Sequence, residues 1–310
     1  MSRKIALLFA GQGAQTIGMG SDLAARYPAA AETFRLADET LGRALSQIAW
    51  NGPTEELTKT SNCQPALYVH GLACLAALRE AGGEFPIEAT AGLSLGEWTA
   101  HAAADTFDFA TGLKLVEKRG RFMESACEAT GGAMAAMIGA DEAAVRALAA
   151  DTDVDIANLN APGQIVISGE TAKVELAVSL AKEHGIRRAT LLNVAGAYHS
   201  RLMNSAYLQM GDALLEAELK MPKFPVVSNV TGEEVKSLPE IRQTLQDQVT
   251  SSVRWSDCME RLLARGCDLF IELGPGSVLA GLLQRIRKGV EVISISDAAS
   301  VQLGVEKLKL

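Results

Sequence analysis

Gly92-Leu93-Ser94-Leu95-Gly96 is the stretch from which the fold can be read. It fits G-x-S-x-G, the pattern of a nucleophile elbow, in which a serine lies on a sharp turn between a strand and a helix. The two glycines are needed because a Cβ on either side would clash in so tight a turn. The pattern predicts a presented Ser94 hydroxyl that can form an acyl ester. A structural glycine-rich turn with Ser94 as an ordinary helix N-cap is the alternative.

The sequence on both sides of the elbow alternates short apolar runs with helical patterns. The run 88–92 predicts the strand that ends at the elbow, and 97–104 predicts the helix that follows it. Ile5–Ala10 predicts another buried strand. Helical patterns cover 21–44, 64–81 and 109–128. Strands that alternate with helices indicate a mostly parallel α/β sheet.

A second, smaller domain is predicted where the composition changes at Ala129-Thr-Gly-Gly132. The elements predicted from there follow the order β-α-β-β-α-β of a ferredoxin-like unit: 133–139, 141–150, 154–160, 164–168, 171–184 and 187–194. We therefore assign 1–128 and 197–310 to the large domain and 129–196 to an inserted small domain. The resumed large domain is predicted to hold helices at 202–219, 238–249 and 253–265 and strands at 225–230, 269–273 and 290–295. A cleft between the domains is the expected place for a site.

Composition narrows the class of protein. The chain has 310 residues, 48% of them hydrophobic, and no run approaches the ~18 apolar residues of a membrane span. The apolar run after Lys4 is shorter than the core of a signal peptide, so the cytoplasm is the expected compartment. A net charge of −8 argues against nonspecific nucleic-acid binding. Five scattered cysteines without a C-x-x-C pair and four dispersed histidines predict no disulfide framework and no metal site.

A serine nucleophile needs a general base, and His199 is the candidate. It lies where the small domain ends and the large domain resumes, a position that can face the cleft. A histidine that caps a helix start or bonds within the crossover is the alternative. His101 lies two helical turns beyond Ser94, too far to reach its hydroxyl. His70 and His184 lie in helical patterns and are expected to be structural.

Gly11-Gln12-Gly13-Ala14-Gln15 follows the first predicted strand. In a parallel sheet this loop emerges at the same end as the elbow, so its main chain could supply a second oxyanion donor. A phosphate-binding loop is the weaker alternative, because the stretch lacks the lysine of that motif.

Arg119 shares a helical face with the apolar Val116 and Met123 and with Gly120. An arginine on such a face needs an anionic partner, because an unpaired buried charge is costly. The partner could be a structural carboxylate or the carboxylate of a substrate held bidentately.

Taken together, these stretches resemble the malonyl-CoA:acyl carrier protein transacylases and the related acyltransferase domains of polyketide synthases. The resemblance spans nearly the whole chain and rests on six ordered motifs: Gly11–Gln15, Gly92–Glu97, Val116–Met123, Asn160–Gly169, Ala197–Ser200 and Glu272–Gly276. It implies an α/β-hydrolase-like large domain that carries a ferredoxin-like small domain.

The resemblance also implies residue roles. Ser94 would attack the thioester of malonyl-CoA, and His199 would take its proton and later activate the incoming thiol. The main-chain carbonyl of Gln248 would orient the histidine in place of a carboxylate. The remaining implied groups are the main-chain N–H groups of Gln12 and Leu95 as the oxyanion hole and Arg119 as the clamp for the malonyl carboxylate.

The chain departs from the family pattern at three positions. Leu93 replaces the usual histidine before the serine, Trp98 a usual tyrosine, and Ser252 a common proline near Gln248. Tyr198 stands where malonyl-selective members commonly carry phenylalanine. A bulky ring there would crowd an α-methyl group, so we expect malonyl to be preferred over methylmalonyl.

The implied reaction is malonyl transfer from malonyl-CoA to the phosphopantetheine thiol of acyl carrier protein through a malonyl-serine, which would supply fatty acid synthesis without metal or cofactor. The alternatives are a loading acyltransferase of a polyketide pathway, a transacylase subunit of a malonate decarboxylase, a serine hydrolase or thioesterase, and a non-catalytic scaffold. The carrier is acidic in this family, so a local basic patch should receive it. The candidates are Lys114, Lys118 and Arg121; Arg187 and Arg188; and Arg285, Arg287 and Lys288.

Overall fold

The computed structural model describes residues 3–308 and contains two separate β-sheets. The strands are β1 (Ile5–Phe9), β2 (Ala89–Gly92), β3 (Gly132–Ile138), β4 (Asp155–Ala161), β5 (Gln164–Glu170), β6 (Arg188–Leu191), β7 (Leu269–Leu273) and β8 (Glu291–Ile295). The helices are α1 (Ser21–Arg26), α2 (Pro28–Leu41), α3 (Leu45–Asn51), α4 (Thr54–Thr58), α5 (Thr60–Gly82), α6 (Leu95–Ala103), α7 (Phe109–Thr130), α8 (Glu142–Thr152), α9 (Thr171–Leu180), α10 (Asn204–Glu216), α11 (Leu238–Asp247), α12 (Trp255–Ala264), α13 (Val278–Ile286) and α14 (Ala298–Leu308). A short 3-10 turn, Arg201–Met203, precedes α10.

The first sheet is parallel, in the order β2-β1-β7-β8. Every residue of β1 is buried, as expected for a continuous apolar run covered on both faces by helices. Phe9 is in register with Gly92 on one side and Leu273 on the other, so these three strands end at the same edge. The loop 11–13, the elbow and the Gly274 turn therefore emerge side by side.

The second sheet is antiparallel, in the order β4-β5-β3-β6. Helices α8 and α9 complete the β-α-β-β-α-β order of a ferredoxin-like unit. The predicted α/β class with a large parallel-sheet part and a smaller antiparallel part is confirmed. The small sheet occupies 132–191, inside the predicted range 129–196, but the domain boundaries themselves stay a prediction. The terminal positions 1, 2, 309 and 310 of the predicted large domain lie outside the described residues.

Several predicted elements have different limits. The helix expected over 21–44 is two helices, because Pro28 lacks the N–H that would continue the first and instead begins the second. The strand expected at 225–230 is wrong: only Val226 and Val227 form isolated bridges, to Thr90 and Glu234. The sequence interpretation also missed α3, α4 and α14, of which α3 and α4 span only 7 and 5 residues.

The long helices α5 and α7 pack together beside the elbow. A Cβ on Gly120 of α7 would lie 2.7 Å from the carbonyl oxygen of Thr60 on α5, so glycine is required for this close approach. Asp108 begins α7 by accepting a hydrogen bond from the Thr111 N–H at 2.7 Å. The packing brings Arg119, the neighbour of Gly120, to the centre of the molecule. None of the helices in the described range is long and apolar enough to cross a bilayer.

Candidate active site

The elbow has the strained geometry that the motif predicts. Ser94 lies between β2 and α6 with φ 54° and ψ −106°, a region that costs a non-glycine residue ~1–3 kcal/mol. A Cβ on Gly92 would overlap the main chain of Gly96, and a Cβ on Gly96 would overlap the carbonyl of Phe9 on β1. The glycines therefore let the turn close on itself and dock against the central strand.

Ser94 and His199 lie within hydrogen-bonding distance. Ser94 Oγ is 2.8 Å from His199 Nε2, and His199 Nδ1 is 2.8 Å from the main-chain oxygen of Gln248. Gln248 is the C-cap of α11, where the last carbonyls of a helix have no partner within the helix. Its oxygen is therefore free to accept a hydrogen bond from the imidazole. His199, like Ser94, has a positive φ, here 56°.

The electrostatic surroundings keep His199 neutral. Burial and then the nearby Arg119 cation lower the pKa of His199 to about 4, while its hydrogen bond to Gln248 acts in the opposite direction. A neutral imidazole can accept the Ser94 proton at physiological pH.

Arg119 is fully buried and points at the Ser94 hydroxyl. Its Nη1 donates to Gln64 Oε1 at 2.7 Å, and its Nη2 donates to Ser94 Oγ at 3.1 Å and to Gln248 Oε1 at 3.0 Å. Burial lowers the pKa of Arg119 to about 10, so the guanidinium stays charged at neutral pH. Within residues 3–308 no carboxylate bonds it directly, and its Nε has no hydrogen-bond partner. Of the two predicted partners, a structural carboxylate makes no direct bond to Arg119 in the described range, although the buried Glu97 acts on the guanidinium through space and raises its pKa against the effect of burial.

The two predicted oxyanion donors lie on neighbouring loops. Leu95 is the first residue of α6, whose opening N–H groups have no partner inside the helix. The Gln12 loop touches the elbow, since a Cβ on Gly11 would overlap the carbonyl of Leu93. In the part of the chain that the structure describes, neither the Gln12 nor the Leu95 N–H donates to another protein group.

Tyr198 is buried beside His199. Its hydroxyl is 2.6 Å from Thr60 Oγ1, which fixes the end of the ring, and it also bonds Gln12 and Cys127. Burial raises the pKa of the Tyr198 hydroxyl, so it is neutral. The ring is thus held beside the catalytic candidates by its polar end.

A polar network below the elbow was not predicted. Gln64 accepts a hydrogen bond from Arg119. Asn229 accepts one from the Ser94 main-chain N–H, and Glu97 accepts one from the Gln248 side chain. Glu97 has no exposed surface, and burial raises its pKa to about 7. Two features of the sequence could have indicated this network. Glu97 is a carboxylate directly after the elbow, and Asn229 is an asparagine at the end of an apolar run.

The residues that depart from the family pattern each make a contact that the structure identifies. Leu93 is half-buried and packs against the core cluster that covers the outer face of the sheet. Trp98 is fully buried and donates its indole N–H to Gln248 Oε1 at 3.1 Å. Ser252 donates its hydroxyl to the carbonyl of Ile156 on β4. The segment after Gln248 is thereby tied to the small sheet.

A cleft of about 1180 Å³ separates the small sheet from the elements after it and reaches His199. Its walls come from both parts of the chain, including Arg146 and Ile156 on one side and Asn204 and Arg254 on the other. A cleft is therefore present between the small sheet and the later elements, and His199 is the candidate residue that lines it.

The other three histidines lie elsewhere. His70 contacts the carbonyl of Ser296, His101 contacts Thr106 Oγ1, and His184 lies 3.4 Å from Asp151. In the range 3–308, no three His, Cys, Asp or Glu side chains are grouped so as to hold a metal ion.

Comparisons with known proteins agree with this geometry. The family described as "Acyl transferase domain" matches residues 6–303. A malonyl CoA-acyl carrier protein transacylase of Bacillus subtilis is 42% identical over 311 residues, which cover 99% of this chain and 98% of the relative. The crystal structure of an acyl-carrier-protein S-malonyltransferase from Bartonella henselae is 37% identical, with a TM-score of 0.95 and coverage of 99% and 100%. A malonyl-transacylase in complex with a type II PKS acyl-carrier protein is also 37% identical, with a TM-score of 0.93 and coverage of 98% and 99%.

Proposed function

Because this chain belongs to the family of acyl transferase domains, we propose that it transfers a malonyl group from malonyl-CoA to the phosphopantetheine thiol of an acyl carrier protein. The observation that carries the proposal is the convergence on Ser94 Oγ of a neutral imidazole at 2.8 Å and a buried guanidinium at 3.1 Å. The first is a base for the nucleophile, and the second is a cation for a carboxylated acyl group.

The first half-reaction forms the malonyl-serine. Ser94 Oγ attacks the thioester carbonyl while His199 Nε2 takes its proton. The Gln12 and Leu95 N–H groups stabilise the tetrahedral oxyanion, which then collapses with loss of the CoA thiolate. His199 returns the proton to that sulfur. The Gln248 carbonyl holds the tautomer of His199 in which Nε2 is the acceptor.

The second half-reaction reverses these steps with a different thiol. His199 takes the proton of the carrier phosphopantetheine, and the thiolate attacks the malonyl ester. Ser94 leaves and recovers the proton. One thioester is exchanged for another, so the step needs no ATP, metal or cofactor to drive it. The cleft that reaches His199 can admit either phosphopantetheine arm.

Arg119 selects the acyl group in this proposal. The malonyl carboxylate would accept hydrogen bonds from the guanidinium, while Gln64 holds its other side. Tyr198 would crowd an α-methyl substituent and disfavour methylmalonyl. A site built around a buried cation rejects an acyl group that lacks the matching anion.

We assign the reaction to fatty acid synthesis in the cytoplasm. A loading enzyme for a polyketide pathway is the second candidate, favoured by the likeness to the malonyl-transacylase in the type II PKS complex. A serine hydrolase is disfavoured because His199 Nδ1 contacts a main-chain carbonyl in place of the acidic triad member. A transacylase subunit of a malonate decarboxylase would use the same site chemistry.

Intact-mass measurement after exposure to malonyl-CoA tests the proposal. We expect an adduct of ~86 Da on Ser94, which disappears in Ser94→Ala and on addition of holo carrier protein. Loss of the adduct as free malonate, at a rate the carrier does not change, would indicate a hydrolase. Absence of any adduct on the wild-type chain would refute the mechanism.

Carrier docking on exposed basic residues gives a second test. Most of the candidate basic residues are exposed and, in the described part of the chain, form no ion pair: Lys114, Arg121, Arg187, Arg188, Arg285 and Lys288. Lys118 pairs with Glu216, and Arg287 pairs with Glu260. We expect transfer from malonyl-Ser94 to the carrier to slow as salt rises. Transfer to pantetheine, an uncharged thiol, is the control and should not slow. Equal salt sensitivity of both would refute electrostatic docking.

A further inference from the structure

Asn229 lies beneath the elbow and bonds it on both sides of Leu93. Its Oδ1 accepts a hydrogen bond from the Ser94 N–H at 2.7 Å, and its Nδ2 donates to the carbonyl of Gly92 at 2.8 Å. The side chain is fully buried and does not touch the Ser94 hydroxyl. A single amide therefore braces the last residue of β2 and the nucleophile across the tightest part of the turn.

The hydrogen bonds of Asn229 also determine which main-chain N–H groups of the elbow remain available to bind an oxyanion. The Ser94 N–H is engaged by Asn229, whereas the Leu95 N–H is without a protein partner in the described range. A strained main chain persists only where its surroundings over-determine it. The two hydrogen bonds of the Asn229 side chain hold the strained turn in place, because they fix the peptide groups before and after it.

The same network extends to the base. The Asn229 main-chain N–H donates to Glu97 Oε2 at 3.1 Å, and Gln248 Nε2 donates to that oxygen at 2.5 Å and to the Ser94 carbonyl at 2.9 Å. Gln248 is the residue whose own carbonyl meets His199 Nδ1. Glu97 thus ties together the residue that braces the nucleophile and the residue that orients the base.

We propose that Asn229 is a positioning residue for acyl transfer, with Glu97 holding Asn229 and Gln248 in a fixed relation. It acts on the reaction through the Ser94 main chain, and the proposal rests on the function proposed above. Its loss should allow the turn to shift, which displaces Oγ from the thioester carbonyl and the Leu95 N–H from the oxyanion. Substrate affinity should be kept, because Asn229 does not bond Arg119 or Gln64.

The first test is Asn229→Ala in single-turnover acylation by malonyl-CoA, followed by intact mass. A misplacement of about 1 Å can cost ~10² in rate, so we expect the acylation rate constant to fall about 10²-fold. The malonyl-CoA concentration at half-saturation should stay close to the wild-type value. A loss that appears only as weaker binding would contradict a positioning role.

The matched control is Asn62→Ala. Asn62 is also a buried asparagine with two side-chain hydrogen bonds, one to the Glu56 carbonyl and one from Arg43, and it does not contact the elbow. We expect a comparable loss of thermal stability and a near wild-type acylation rate. If both variants lose acylation equally, the effect of Asn229 is one of folding stability alone.

Asn229→Asp supplies a readout that does not depend on stability. A protonated Asp keeps the acceptor for Ser94 and a donor for Gly92, whereas an ionised Asp loses the donor. In the described range, the titratable groups that contact Asn229 are Glu97 and Cys258, and burial next to Glu97 favours the protonated form.

Glu97, whose pKa is about 7, titrates in both proteins, so the measured quantity is the ratio of Asn229→Asp acylation to wild-type acylation. We expect this ratio to rise as pH falls from 8 to 6. A ratio that does not change with pH would refute the positioning role, even if Asn229→Ala does not fold. Failure of the wild-type chain to acylate would instead refute the proposed function, so the two failures are distinguishable.

Discussion

Arg119→Ala should change which acyl group the site accepts. The guanidinium is fully buried, and the described contacts place no carboxylate against it, so the malonyl carboxylate would be its anionic partner. Truncating one member of a buried, hydrogen-bonded charge pair costs ~2–5 kcal/mol. At about 1.4 kcal/mol per tenfold, malonyl acylation should fall about 30- to 4,000-fold in kcat/KM.

Acetyl-CoA isolates this effect from other consequences of the substitution. Arg119→Ala also removes a donor to Ser94 Oγ, to Gln64 Oε1 and to Gln248 Oε1, although the last still accepts from the Trp98 indole. These losses are common to both substrates, so they cancel in the ratio of the two kcat/KM values. That ratio should therefore move toward acetyl by the factor that the carboxylate contributes.

The assay is Ser94 acylation by each thioester, measured by intact mass over time. Arg242→Ala is the control, because Arg242 donates only to the carbonyls of Leu214 and Ala217, away from the site. Arg119→Lys should fall between wild type and alanine, since it keeps the charge but loses the planar fork. Equal loss of malonyl and acetyl acylation in Arg119→Ala would refute the clamp.

Three further outcomes are expected. In a pH-rate profile, Ser94 acylation should fall as His199 becomes protonated near its pKa of about 4, separately from any step caused by Glu97 near its pKa of about 7, whereas a profile without a fall between pH 5 and pH 3 would contradict a buried base. Gly96→Ala should destabilise the chain by more than ~2 kcal/mol in denaturant unfolding, because its Cβ meets the Phe9 carbonyl, whereas Gly281→Ala, on an open face of α13, should be neutral or stabilising by up to ~1 kcal/mol. Tyr198→Ala should raise methylmalonyl loading relative to malonyl at least ~10-fold in a competition assay, and an unchanged ratio would refute the steric role.

The elbow shows why some features could be predicted from sequence. Gly92 and Gly96 surround Ser94 within five residues, and the physical demands of the turn are local, so the pattern already contains them. The buried run of β1 and the β-α-β-β-α-β order are likewise local patterns of hydrophobicity and turn residues. The strand expected at 225–230 failed because an apolar run is equally compatible with a buried loop that makes single bridges.

The contacts of Gln248 and Arg119 could not be predicted from local sequence patterns. The role of Gln248 followed from the family resemblance and not from its surroundings, and only the structure places its carbonyl at the end of α11 against His199. The helical face of Arg119 indicated burial, whereas its hydrogen bonds to Gln64 and Gln248 follow only from the tertiary packing.

By itself the sequence determined the α/β architecture and predicted a nucleophile and the residues available to serve it, because turn sterics and hydrophobic periodicity act over a few neighbouring positions. The tertiary structure decided which groups meet. Asn229 bonds Ser94 across 135 positions of sequence, and Gln248 bonds the Ser94 carbonyl across 154. Contacts of this kind depend on how helices and strands pack in three dimensions, and polar residues in loops carry no periodic signal that would reveal them.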